Sequence, residues 1–134
     1  MQVQHGEFEI VLDNNIIKIT VQGAFNDVGA KALVEQLMPL IVSLDNQPFV
    51  ILANLLAFDG GTPEVFAMSE EFNTWLNDKK MLAKALVFTS PALIAIEQAL
   101  VKSKVQQNIR YFDDENLALS WLDQQLENSN IKSA

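Results

Sequence analysis

The side chains able to carry chemistry are few, so their spacing decides what is feasible. His5, Arg110 and Tyr111 are the sole histidine, arginine and tyrosine, and there is no cysteine. That removes thiolate nucleophiles, disulfides and Cys-based metal sites together. A Ser-His-Asp arrangement would have to use His5, which precedes the first expected strand with no second imidazole to organise it and reads as a solvated terminal residue. Carboxylates are paired at Glu70-Glu71 and Asp113-Asp114. Neighbours on a helix diverge by about 100°, however, and acids near a helix start favour its dipole. Asp59, Asp113 and Asp114 lack the spacing of a calcium loop. The reading is therefore a protein that is not an enzyme, with no catalytic residue, no metal and no cofactor.

What remains is a pair of binding features. The first is Asp59-Gly60-Gly61-Thr62-Pro63. Its glycines allow close backbone approach, and the free amides of the helix that follows would attract an anion or accept a phosphate on Thr62, which adds about 1.5 to 2 negative charges. Beside this stands the plainer reading in which Thr62 caps a helix and the glycines make a turn. Gly-Gly alone lacks the glycine spacing and the Lys-Ser/Thr ending of a phosphate loop. The second feature is basic: Lys79 and Lys80, then Lys102 and Lys104, close two expected helices, while Lys84 and Arg110 precede strands. Helix dipoles account for cations at such ends, and an anionic lipid surface or acidic partner is the sharper alternative.

The elements that must position these groups follow from hydrophobic period. Glu7 to Leu12 and Ile17 to Val21 alternate with period two, with Asp13-Asn14-Asn15 between them, which predicts a hairpin. Leu33, Leu37, Ile41 and Leu44 recur at helical spacing after a cap at Asn26 or Asp27, and Pro39 predicts a kink or restart. Phe49 to Ala53 is a continuous apolar run, read as a strand covered on both faces. Thr62-Pro63 opens a second helix with a stripe of Val65, Met68, Phe72, Trp75 and Leu76. Ala85 to Phe88 is the next strand. Ser90-Pro91 opens a third helix, apolar over much of its circumference. Ile109 to Phe112 is a last strand, and Asp113-Asp114 cap a helix carrying Leu117, Ala118, Trp121, Leu122 and Leu126 inward. The order ββαβαβαβα predicts an α/β fold with a mixed sheet of about five strands, helices packed on it and right-handed crossovers.

At 134 residues and 15.0 kDa, with 49% hydrophobic and 19% charged residues, the chain is one domain, 1–134, with an ordered core of about 6–126 and a polar end, 128–134, expected to fray. A net charge of −8 argues against nucleic acid, whose binding depends on Lys and Arg. The charge is uneven: residues 1–78 carry −9 and residues 79–134 carry +1. With no apolar leader and no membrane-length run, a cytoplasmic location is expected.

The string from Arg110 through Tyr111-Phe112-Asp113-Asp114 to Ala118 and Trp121-Leu122 resembles the closing segment of the SpoIIAA-like, or STAS-like, family, and the element order over residues 6–126 is similar to that family's. The resemblance implies an α/β sandwich that binds and switches, as in anti-sigma factor antagonists. In those relatives the loop corresponding to Asp59 reads Asp-Ser-Ser-Gly with a phosphorylated serine; here Gly60, Gly61 and Thr62 follow Asp59. The expected function is a regulatory interaction module whose second-helix edge, Asp59, Gly60, Gly61, Thr62 and Phe66 with Thr89 and Ser90 beside it, meets a protein partner and is tuned at Thr62. The alternative is a carrier of a lipid or small apolar ligand, held near Leu33, Leu37, Phe66 and Leu93, with peripheral membrane contact through the lysines. A homodimer through the apolar third helix is a further expectation.

Overall fold

Residues 3–133 are described by the computed structural model, with side chains to residue 129. The elements are β1 (Glu7–Asp13), β2 (Ile16–Phe25), α1 (Asp27–Ser43), β3 (Phe49–Gly61), α2 (Pro63–Leu76), β4 (Met81–Val87), α3 (Pro91–Leu100), a 3-10 turn (Lys102–Gln106), β5 (Ile109–Phe112) and α4 (Glu115–Ser133). The strands lie in the order β1-β2-β3-β4-β5. β1 pairs antiparallel with β2, and every later neighbour is parallel. This is the expected mixed α/β sheet. Asn14 makes the hairpin by adopting a φ of 53°, a left-handed angle that asparagine tolerates.

Period-two alternation divides the central strands between two cores. Val50, Leu52, Ala83, Ala85 and Val87 pack with Ala118 and Leu122 of α4. Phe49, Ile51, Ile17, Ile19 and Val21 pack with Leu37 and Ile41 of α1 and with Val65 and Leu76 of α2. Ala83 and Ala85 of β4 are fully buried beneath α4, so small side chains on this face of the strand leave room for the helix. Polar ties fix the entry to α4: Asp114 Oδ1 accepts from the amides of Asn116 and Leu117 at 2.7 and 3.2 Å, and Glu115 pairs with Lys18 while accepting from Asn54 Nδ2 at 2.7 Å.

Several local expectations are corrected. α1 runs through Pro39 without a restart, because Pro39 sits on the exposed side and neighbouring turns packed on the sheet hold the helix. β3 extends to Gly61 rather than ending at Ala53, since its distal half keeps pairing with β2 as far as Phe25 opposite Gly61. α3 has no buried residue, and Ile96 and Leu100 are exposed, so its apolar circumference is only partly used. Leu117, expected inward, is 58% exposed, because the inward line of α4 runs through Ala118 and Leu122. Within the segment 128–134, α4 continues to Ser133, which leaves the expected fraying untested, and Ala134 lies outside the described residues.

Candidate functional site

The feature that the sequence pattern did not reveal lies in the middle of β4. Lys84 was expected before that strand, yet β4 begins at Met81, and alternation turns Ala83 and Ala85 toward α4 while Lys84 and Leu86 face α1 and α2. Lys84 is 5% exposed. Its signal in the sequence was available: a lone lysine inside Met81-Leu82-Ala83-Lys84-Ala85-Leu86-Val87 has apolar neighbours on both sides and no solvated face to occupy.

Lys84 looks into a pocket of about 170 Å³ between the sheet and helices α1 and α2. Its walls are apolar: Ile19, Val21, Ile51 and Leu86 from the strands, Leu33 and Leu37 from α1, Val65, Phe66, Met68 and Phe72 from α2. Polar side chains line it through Ser69, Asn73, Lys84, Glu97 and Lys104. Leu33, Val34, Met68 and Phe72 are partly exposed, so the space is not sealed. The sequence-based alternative placed an apolar space near Leu33, Leu37, Phe66 and Leu93; the first three line this pocket, and Leu93 instead stands by the pro-Cβ position of Gly60, at 3.4 Å.

The polar residues are held from behind. Lys84 Nζ donates to Asn73 Oδ1 at 2.6 Å. Gln107 Nε2 donates to the same oxygen at 3.1 Å and to Asn77 Oδ1 at 3.0 Å. Asn73 Nδ2 in turn donates to the Ser69 carbonyl at 2.8 Å. Asn77 Nδ2 donates to the Ser103 carbonyl at 2.9 Å, and the Ser103 amide donates to the Glu70 carboxylate. The chain from α2 to the 3-10 turn therefore fixes both Asn73 and the backbone that carries Lys104. Lys104 pairs with Glu97, each side chain 12% exposed.

Charge is expensive here. Burial, with the positive charge of Lys104 second, pushes the Lys84 amine well below its ordinary value of 10.5. Desolvation brings Lys104 down to about 8 even with Glu97 beside it. For both, the folded state binds fewer protons than the unfolded chain above the folded value, so stability rises with pH there until the unfolded lysines titrate. We therefore expect the denaturation midpoint to increase from about pH 8 toward about pH 10.5 in the window set by Lys104, measured by urea melts in a buffer series. A flat or falling midpoint across that window would show that the two amines keep their ordinary affinity for protons.

The expected partner edge is only partly a surface. Asp59, Thr62 and Thr89 are exposed, Gly61 and Ser90 are intermediate, and Gly60 and Phe66 are buried. Phe66 turns into the pocket, because the inward side of α2 includes positions 65 and 66. Asp59-Gly60-Gly61 lies in β3 rather than in a loop, with Gly60 at a φ of +102° that a side chain would resist. Thr62 holds the N-cap position but makes no side-chain cap. Instead the Glu64 carboxyl is lowered by its own backbone amide and then by the Thr62 hydroxyl. Ser90 does cap α3, accepting from the Leu93 amide at 3.3 Å. The strand ends meet on a common rim: Phe58 and Phe88 pack edge to face at 6.1 Å, and the Phe88 amide donates to the Phe112 carbonyl at 2.9 Å.

The basic edge is also divided. Lys80 and Lys102 are exposed, Lys79 lies 4.6 Å from the centre of the Trp75 ring, and Lys104 is drawn inward to Glu97. Neither α2 nor α3 has a basic residue in its last turn; Lys79 and Lys80 follow the end of α2, and Lys104 lies in the last turn of the 3-10 helix. Among the described residues no group of three acidic, histidine or cysteine side chains is placed to hold a metal, and no helix is long and apolar enough to cross a membrane.

A five-stranded sheet with two helices beside an apolar pocket on one face and a helix packed on the other defines a layered α/β architecture. The chain belongs to the SpoIIAA-like family, whose model matches residues 16–123. A protein of the DUF3478 family with a SpoIIAA-like fold from Shewanella loihica PV-4 is similar in structure, with a TM-score of 0.66 and 13% identity over 91% of this chain and 97% of that one. An anti-sigma factor antagonist from Mycobacterium paratuberculosis is also similar, with a TM-score of 0.61 and 13% identity over 89% of this chain and 95% of that one. No curated protein matches the sequence.

Proposed function

We propose that this is a non-enzymatic binding module that takes one small, mainly apolar molecule into the pocket between α1, α2 and the sheet. The observation that carries this reading is the pocket itself: about 170 Å³ of space with apolar walls and a few convergent polar groups, the usual make-up of a ligand site. An apolar cavity of about 150 Å³ accepts benzene, so the expected ligand has roughly six to ten non-hydrogen atoms. Hexan-1-ol or toluene at saturation is expected to raise the thermal midpoint by several degrees. Leu33→Trp, which fills the space from its partly exposed wall, is expected to remove that rise. Equal shifts in both proteins, or none in the wild type, would end this reading.

A second reading is supported by the family and by the exposed hydroxyl of Thr62: a protein partner docks at the start of α2. A phosphate on Thr62 would face the Glu64 carboxylate, and like-charge repulsion would rearrange that helix start. Thr62→Glu is then expected to change recovery of the partner from cell extract. Identical recovery of the same proteins by both forms would remove the switch.

A further inference from the structure

We infer that Lys84 is a reactive amine that captures a small apolar aldehyde or ketone in the pocket by forming an imine. The inference rests on the pocket reading above and names the chemical class of its occupant. Three observations support it. Lys84 projects from the middle of a buried strand into an apolar space instead of reaching solvent. Its only hydrogen-bond partner among those described is a neutral amide oxygen, Asn73 Oδ1. The nearby carboxylate, Glu97, is engaged by Lys104 instead, so the groups lining the pocket around Lys84 are Asn73 from α2, Glu97 from α3 and the cationic Lys104 from the 3-10 turn.

An amine buried without a counter-ion favours its uncharged form, and a neighbouring cation favours it further. This is the environment that turns lysine into a nucleophile toward carbonyl compounds. The hydrogen bond to Asn73 uses one N–H, so the uncharged amine keeps its lone pair for a carbonyl carbon. Addition forms the bond between Nζ and the carbonyl carbon and gives a carbinolamine. Lys104, held by Glu97, then supplies a proton to the carbinolamine oxygen. The C–O bond breaks, water leaves, and the resulting iminium returns a proton to Lys104. In sum the carbonyl oxygen departs as water with both hydrogens of the amine, and no oxidant or reductant is consumed. The apolar walls hold the organic group and restrict the water that would hydrolyse the product.

The test uses hexanal with borohydride trapping at pH 7, followed by peptide mapping, and hexan-1-ol as the matching ligand without a carbonyl. Lys84 is expected to acquire one hexyl group at least about tenfold faster than the exposed Lys80 and Lys102, because the apolar pocket gathers the aldehyde beside an amine that burial keeps uncharged. Lys84→Met should lose the pocket adduct. Modification spread over Lys80 and Lys102 with Lys84 no faster would overturn the inference. If hexan-1-ol binds and Lys84 is not trapped, imine capture fails and the pocket reading stands; if neither molecule acts, both fall.

Discussion

Lys84→Met is expected to stabilise the protein by about 2 kcal/mol at neutral pH, measured by urea denaturation. Lysine in this place either carries a desolvated ammonium or surrenders its proton below its ordinary value, and both states cost free energy. Methionine keeps an unbranched chain of similar reach, adds no polar atom and fills irregular space well. The substitution leaves no orphan behind, because Asn73 Oδ1 still accepts from Gln107 Nε2 at 3.1 Å. A gain in stability from removing a buried polar residue marks that residue as one kept for a purpose other than folding. A loss of more than about 1 kcal/mol would show instead that the amine is well satisfied and structural.

Asn73→Leu is expected to do the opposite, lowering stability by about 3 kcal/mol. Asn73 is 3% exposed and is the shared acceptor for Lys84 and Gln107. Leucine has nearly the same shape but accepts nothing, so the Lys84 amine loses its partner in a dry site, where an unmade hydrogen bond costs the full desolvation of the donor. Gln107 is partly protected by its second bond to Asn77. The cost should therefore depend on Lys84: in the Lys84→Met background the same change is expected to cost at least about 1 kcal/mol less, a coupling measurable by a double-mutant cycle. Additive effects would indicate that Asn73 acts mainly through the Ser69 carbonyl at 2.8 Å.

Periods of two and 3.6 identify the element order because half-buried strands and surface helices leave their burial in the pattern, as at Ile17-Ile19-Val21 and at Leu33-Leu37-Ile41. Turn and cap chemistry is local, and Asn14, Asn26 and Asp114 act where residue type alone places them. The closing segment through Trp121-Leu122 is also legible through its family resemblance, and Phe112 and Trp121 meet with ring centres 5.7 Å apart.

Strand length was less legible. Asp59-Gly60-Gly61 has the composition of a turn, yet it stays in β3 because β2 continues beside it and supplies partners. Leu117 stands next to Ala118 in sequence yet faces solvent, a difference of one position around the helix that periodicity tolerates and packing does not. Lys104 reads as a surface cation until α3 brings Glu97 to it.

Composition and order alone determined an α/β fold with little conventional catalytic equipment, because those properties depend on residue type and on contacts between near neighbours in the chain. The tertiary structure alone decided that Lys84, Asn73, Glu97 and Lys104 share one pocket. They come from a strand, two helices and a 3-10 turn, and their meeting depends on register and helix rotation. Those quantities are set by the combined packing of the whole sheet face, which no local window of sequence contains.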